Sequence, residues 1–377
     1  MKSLAQQTFA LEPGLIQLNH ASYGLPTRSI LAKAESVRAQ IESDPNRYLG
    51  GELTEQLRTE TTLTAHGFGL EPHLMTLCSN ATAGAAALMQ SLPLTAVDTV
   101  VVLDTEYSSI RRGWEIACAK AGAQLIVCPV SLPFHEPEQL LAALDARVPD
   151  RVTYLQASAI SSSAAIRLPV HRLSKWVRSR GGELILDAAH APGHIRLSPT
   201  EWGVTAMFGT MHKWLPSLRP VGFLWLAPEL VDRVHPAEVS LTWDSPDLVE
   251  RFSWPGTYDP VPRLCLSTAA MQWLSWNEGG LLTDCDRLAH TASQALEHIG
   301  ARPTSTNPLY LPPRMRAFIL DDVTVSEVKA ALSAAGIRAW VGPSPQGETL
   351  LRVSTHIYND DDDINSLTSR LQEVLAR

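Results

Sequence analysis

The chain has 377 residues, 45% of them apolar and 19% charged, which excludes disorder as the dominant state and suggests two domains. Thirty-one basic residues face 39 acidic ones, a formal net charge of -8 that argues against a general nucleic-acid binder. The five cysteines, at 78, 118, 128, 265 and 285, are odd in number, widely spaced and without a C-x-x-C pair, so neither a disulfide framework nor a zinc–thiolate site is expected.

The start carries Lys2 but no apolar stretch after it, and no apolar run approaches the length of a membrane span. The expectation is a soluble, cytoplasmic protein with no membrane or nucleic-acid partner.

Leu74–Leu77 reads as a strand leading into the small-residue run Ser79–Ala87. Thr99–Leu103 reads as a buried strand, Ser108–Ala121 as a helix stopped by Gly122, Gln124–Cys128 as a strand and Glu136–Arg147 as a helix. Arg151–Gln156, Pro169–Arg180, Glu183–Asp187, Thr205–Gly209 and Val221–Leu226 continue the alternation. Strands apolar on both faces that alternate with helices predict βαβ units and a mostly parallel sheet. Ligands of such sheets collect at the carboxyl ends of the strands, where Asp187 lies.

The pattern changes near residue 260, and Trp254–Pro262 is a plausible boundary. Leu266–Trp276 and Leu281–Ile299 read as helices. Arg316–Leu320, Ser326–Ala335, Arg338–Val341, Thr349–Ser354 and a last helix from about Asp361 suggest a smaller α/β unit. The expected division is a large domain over 20–260, with 1–19 and 261–377 forming the small one.

Several motifs fail on inspection. Gly67 and Gly69 begin a dinucleotide fingerprint that no strand precedes, and they read as a helix end. No P-loop occurs. His190 and His194 are separated by Ala191, Pro192 and Gly193, which cannot be a helix presenting two metal ligands, so no metal is expected. Asp360 to Asp363 read as the acidic first turn of the last helix.

Other residues make sense together. Ser79–Ala87 could cradle a phosphate at a helix start, although a capped alanine-rich helix looks the same. Asp187 is either a buried cap or a partner for a cationic ligand group. Lys213 follows a strand and has apolar neighbours, which lower a lysine's pKa and make it a nucleophile.

The ordered set of motifs resembles the class V aminotransferase superfamily of fold-type I pyridoxal-phosphate (PLP) enzymes, and within it the isopenicillin N epimerase-like group. It runs from Leu18–Gly24 through Asp44–Leu49, Ser79–Thr82, Glu106–Tyr107, Asp187–Gly193, His212–Leu215 and Trp254–Thr257 to Leu351–Asn359. The resemblance implies a large domain with a seven-stranded, mostly parallel sheet flanked by helices, a smaller C-terminal α/β domain, and pyridoxal 5'-phosphate as cofactor.

By this resemblance Lys213 is the Schiff-base lysine and Asp187 the partner of the pyridine nitrogen. His190 hydrogen-bonds near the ring oxygen or packs beside it, with a plain loop histidine as the alternative. Ala81, Thr82 and His212 would hold the phosphate, Tyr107 would stack over the ring, and Ser162 is a retained polar residue near it. Thr257 corresponds to a contact lent by a second subunit, which implies a homodimer with shared sites. Arg352 would clamp the substrate carboxylate, and Asn19, His20 and Tyr23 would line the mouth. Four positions depart from the family pattern: Ala159, Ala164 and Ala165 replace His, Thr and Gly, and Thr210 stands where relatives often carry Asn. The three alanines suggest an enlarged or less polar pocket.

The reaction expected first is C–S bond cleavage in a cysteine S-conjugate, in secondary or sulfur metabolism, including antibiotic biosynthesis. The alternatives are epimerisation of an amino-acid centre, transamination or decarboxylating oxidative deamination, and, in a different class, an inactive PLP-fold binding module. The intact set Lys213, Asp187 and Arg352 speaks against the last.

Overall fold

The structure is a computed structural model and describes residues 7–376. Its strands in chain order are β1 (Ile16–Gln17), β2 (Met75–Cys78), β3 (Thr99–Leu103), β4 (Gln124–Cys128), β5 (Tyr154–Ser158), β6 (Glu183–Asp187), β7 (Ala206–Thr210) and β8 (Gly222–Leu226). They are followed by β9 (Arg302–Pro303), β10 (Met315–Leu320), β11 (Ile337–Arg338), β12 (Trp340–Pro343) and β13 (Thr349–Ser354).

Strands β2 to β8 form one seven-stranded sheet in the order β2-β8-β7-β6-β5-β3-β4. All pairs are parallel except those made by β8, which runs against both β2 and β7. The five residues of β3 are all buried, as a β-branched run enclosed by helices on both faces requires. One core, with Leu155, Leu186 and Phe223, fills one face, and another, with Trp114, Ile185 and Phe208, fills the other.

The helix Ser108–Ala121 stops at Gly122, whose φ of 71° is left-handed. Gly69 ends Leu53–Phe68 in the same way, so the Gly67–Gly69 pair is a helix terminus. Asp360 caps the last helix, Asp361–Leu375, in a reciprocal capping box with Asp363.

Strands β9, β10, β12 and β13 form a small antiparallel sheet in the order β12-β13-β10-β9. Its core joins Phe318, Leu351 and Leu367 to Leu18 from the N-terminal segment, and β1 pairs with β11 beside it. The expected division near residue 260 falls before the helix Leu266–Glu278. That helix gives Leu266 and Ala270 to the core of the large sheet and packs along Leu53–Phe68. We therefore propose a boundary just after Glu278. No helix among the described residues is long and apolar enough to cross a membrane.

Candidate active site

A cavity of about 310 Å³ opens at the carboxyl ends of the parallel strands. The loop after β7 brings Lys213 to its wall, and β6 ends on Asp187 opposite it. Glycines make these approaches possible. A Cβ on Gly24 would stand 2.0 Å from the His212 carbonyl oxygen, so the N-terminal segment rests directly on the lysine loop. A Cβ on Gly222 would stand 2.5 Å from the backbone of Asn80, so β8 supports the turn before Ala81.

Lys213 Nζ lies 3.2 Å from His190 Nε2. Burial lowers the lysine pKa to about 8; Asp187 opposes that shift and the charge of Arg352 adds to it. His190 is held well below its ordinary value, by burial first and then by Lys213 and Arg352. The imidazole is therefore neutral at pH 7 and can share a proton with the amine. Asp187 is 5% exposed and accepts the Ala189 N–H at 2.7 Å. Burial raises its pKa, against the pull of that N–H and of Lys213.

Asn80 caps the helix Ala81–Ser91 by accepting the Ala83 N–H. The N–H groups of Ala81 and Thr82, in the first helical turn, have no intrahelical acceptor and border the cavity. They suit a phosphate. His212 also lines the cavity, with its Nδ1 engaged by the backbone of Val221. Tyr107, half exposed, stands at the cavity wall.

Arg352, in β13, is 2% exposed and pairs with no acidic side chain among the described residues: its bonds go to Ser162 O, to Asn19 Oδ1 at 3.1 Å and to Ser22 Oγ at 2.8 Å. Burial lowers its pKa to about 10, and its Nε has no hydrogen-bond partner. A buried cation with neutral partners suits a carboxylate.

The structure thus brings together Lys213, Asp187, His190, His212, Ala81, Thr82, Tyr107, Ser162, Arg352 and Tyr23 around one cavity, with Asn19 behind Arg352. It separates two others. His20 is buried, stacked on His356 at 3.8 Å and bonded through Nδ1 to the Tyr358 hydroxyl, so it does not line the mouth. Thr257 is exposed and lies outside its own chain's cavity. The expected enlargement by alanines is not seen either. Ala159, Ala164 and Ala165 are buried in the surrounding cores, and Ile160 and Ser162 face the space instead. Thr210 lines the cavity and donates to Ala189 O at 2.9 Å. His194 stacks on Trp214, with Nδ1 3.1 Å from His190 O and Nε2 accepting the Arg314 N–H, and the described residues contain no cluster of three metal-ligating side chains.

Ser22 lies inside the Leu18–Gly24 motif without being singled out by it, and Ser158 and Trp340 carry no sequence signal of their own. Only the register that sets Trp340 opposite Arg352, and Ser158 opposite Asp187, reveals the latter two.

The aminotransferase class-V family model matches residues 35–367. The chain belongs to that family. Pyridoxal 5'-phosphate is its cofactor, and it is a PLP-dependent enzyme. The site fits the group: a buried carboxylate at a strand end, a buried amine opposite it, free N–H groups at a helix start, and a buried His190 Nδ1 without a partner.

Among curated relatives of this family member, isopenicillin N epimerase of Streptomyces clavuligerus is 26% identical, covering 98% of this chain and 97% of that protein. The same enzyme of Amycolatopsis lactamdurans is 27% identical, with 98% of each covered. An L-cysteine desulfhydrase of Arabidopsis thaliana is 22% identical over 72% of this chain and 63% of its own length. Of solved structures, the cystine C–S lyase C-DES with cysteine persulfide aligns at TM-score 0.81 and 17% identity, covering 96% of this chain and 98% of that one. A cysteine desulfurase of Thermococcus onnurineus aligns at TM-score 0.81 and 15% identity, covering 99% and 98%. These structures share the fold.

Proposed function

We propose that the protein is a C–S lyase acting on a cysteine S-conjugate in secondary or sulfur metabolism. The observation that carries this reading is the pairing of Lys213 Nζ with His190 Nε2 at 3.2 Å, an amine of pKa about 8 beside a neutral imidazole on one side of the cavity. Elimination needs one group that takes a proton and returns it on the same side.

Asp187 would hold a proton at the pyridine nitrogen, and the N–H groups of Ala81 and Thr82 would hold the phosphate, with His212 beside them. When bound, the cofactor supplies an electron sink that acidifies the substrate Cα–H. Arg352 grips the α-carboxylate and fixes which bond at Cα is presented to Lys213. The free amine of Lys213 takes the Cα proton. It then delivers that proton to sulfur as the Cβ–S bond breaks. The thiol leaves, and the remaining three-carbon enamine takes up water to give pyruvate and ammonia.

Desulfuration onto an enzyme thiol is disfavoured. All five cysteines are buried, and none lines the cavity. Burial pushes Cys78, Cys118, Cys128 and Cys265 up to about 11 and Cys285 up to about 12.

A second reading is epimerisation, favoured by the two isopenicillin N epimerases matched over 98% of the chain. It needs a proton donor on the opposite face, for which Tyr107 is the candidate at the cavity wall. We also infer a homodimer: Thr257, exposed and outside the lining of its own cavity, is available to a second copy.

Incubation of the holoenzyme with cysteine thioethers in heavy water tests the reaction. Pyruvate plus thiol is expected. Deuterated, racemised substrate without pyruvate would replace elimination by epimerisation, and dependence on an added keto acid would replace it by transamination.

A further inference from the structure

The wall beside Arg352 is aromatic. Trp340 opens β12 directly opposite Arg352 in β13, and the guanidinium carbon lies 5.3 Å from the centre of its ring. The ring's place is reserved by the backbone. Gly342, two residues on and on the same face, has the indole folded over it, and a Cβ there would come within 2.6 Å of ring atoms. The indole also forms part of the cavity wall, where it is half-buried. Ile160 and Tyr23 line the same cavity, and Tyr23 is 67% exposed.

The charges around this wall are one-sided. Arg352 is surrounded by neutral partners: Ser162, Asn19 and Ser22. Among the described residues that line the cavity, Asp187 is the one carboxylate, and it is committed at the end of β6 near Lys213. Nothing in the lining can pair a cationic side chain once the α-carboxylate is on Arg352. An uncharged group is left to cover the indole, and a flat ring covers it best.

We propose that Trp340 determines specificity, and that the group on the substrate sulfur is neutral and apolar, with an aromatic ring preferred. This rests on the lyase reading for the sulfur atom but on the cavity wall for the group attached to it. A purely supporting role, in which the indole only steadies Arg352, predicts something different: substrates would then lose affinity equally, whatever their side chain.

The test uses the holoenzyme and three carboxylates without a primary amine, which bind but cannot condense with the cofactor aldehyde: 3-(benzylthio)propanoate, 3-(methylthio)propanoate and the cationic 3-(2-(dimethylamino)ethylthio)propanoate. Dissociation constants are read by calorimetry. The benzyl compound is expected to bind about tenfold more tightly than the methyl compound, as one aromatic contact would give, and the dimethylaminoethyl compound most weakly. Trp340→Ala should bring the benzyl-to-methyl ratio to near one, and Trp340→Phe should keep most of it. Gly342→Ala, which crowds the ring without removing it, should also lower the ratio. Equal weakening of all three compounds in Trp340→Ala, or an unchanged ratio, would overturn the proposal. The lyase reading fails separately, by the absence of pyruvate from S-benzylcysteine, even where the binding ratio holds.

Discussion

The carboxyl group of Glu106 accepts both the backbone N–H of Ser158, at 2.8 Å, and its hydroxyl, at 2.9 Å, one strand away from Asp187. Burial, and then the charge of Asp187, pushes the Glu106 pKa up to about 8. Glu106 is therefore largely protonated in the folded chain at neutral pH and ionised in the unfolded one. The extra proton stabilises the fold fully below the usual carboxylate pKa, and the contribution is lost as pH rises through 8. Glu106→Gln copies the neutral form. The variant should gain melting temperature relative to the parent as pH climbs from 6 to 9; parallel curves would show that Glu106 is ionised in the folded protein.

On the proposed role, Arg352→Ala removes a buried, charge-assisted grip on the substrate carboxylate. A fall of about 10²-fold in kcat/KM is expected, mostly through KM. Arg352→Lys should recover little, since an ammonium cannot reach Ser162, Asn19 and a carboxylate with one planar fork. Steady-state kinetics on the same thioether checks both, and an unchanged KM in the alanine variant would contradict the clamp.

His20 and His356 stack face to face in the interior, and neither ring nitrogen of His356 has a partner. Burial lowers the His20 pKa to about 3 and that of His356 well below its ordinary value. The unfolded chain thus binds more protons than the folded one below about pH 6.5, and stability falls as acid is added. His356→Phe keeps a ring in the stack and deletes one of these sites. Its melting temperature should drop less steeply between pH 6.5 and 4.5 than that of the parent. Equal slopes would mean that the pair is already charged or hydrated.

Ala165 has φ of 50°, in the left-handed region where a Cβ is strained. Ala165→Gly should therefore stabilise the protein by up to about 1 kcal/mol, the relief of strain outweighing the added freedom of the unfolded chain. Denaturant midpoints compare the two.

Much of this was legible because it is local. A β-branched run such as Thr99–Leu103, or an aspartate closing Glu183–Asp187, needs only its neighbours to declare a buried strand with chemistry at its end. Lys213 and Arg352 could be read from motifs, because each sits where a strand delivers it. What escaped depends on contacts between distant segments. His20 stands one residue from Asn19, yet it turns inward to Tyr358 while Asn19 turns to Arg352. Trp340 lies in a stretch that reads only as a strand, and its place beside Arg352 appears once β12 pairs with β13. The boundary we propose after Glu278 differs from the expected one near residue 260 because Leu266–Glu278 reads as a helix in either domain, and its packing on the large sheet favours the later position.

The N-terminal segment has a consequence for how the protein can be cut. Asn19 and Ser22 supply two of the acceptors for Arg352, and Gly24 rests on the carbonyls of His212 and Lys213. All three precede residue 35, where the family match begins. A fragment trimmed to that match would keep the lysine, the aspartate and the phosphate turn. It would lose the brace that aims the arginine, and so could turn yellow with cofactor while failing to grasp an amino acid.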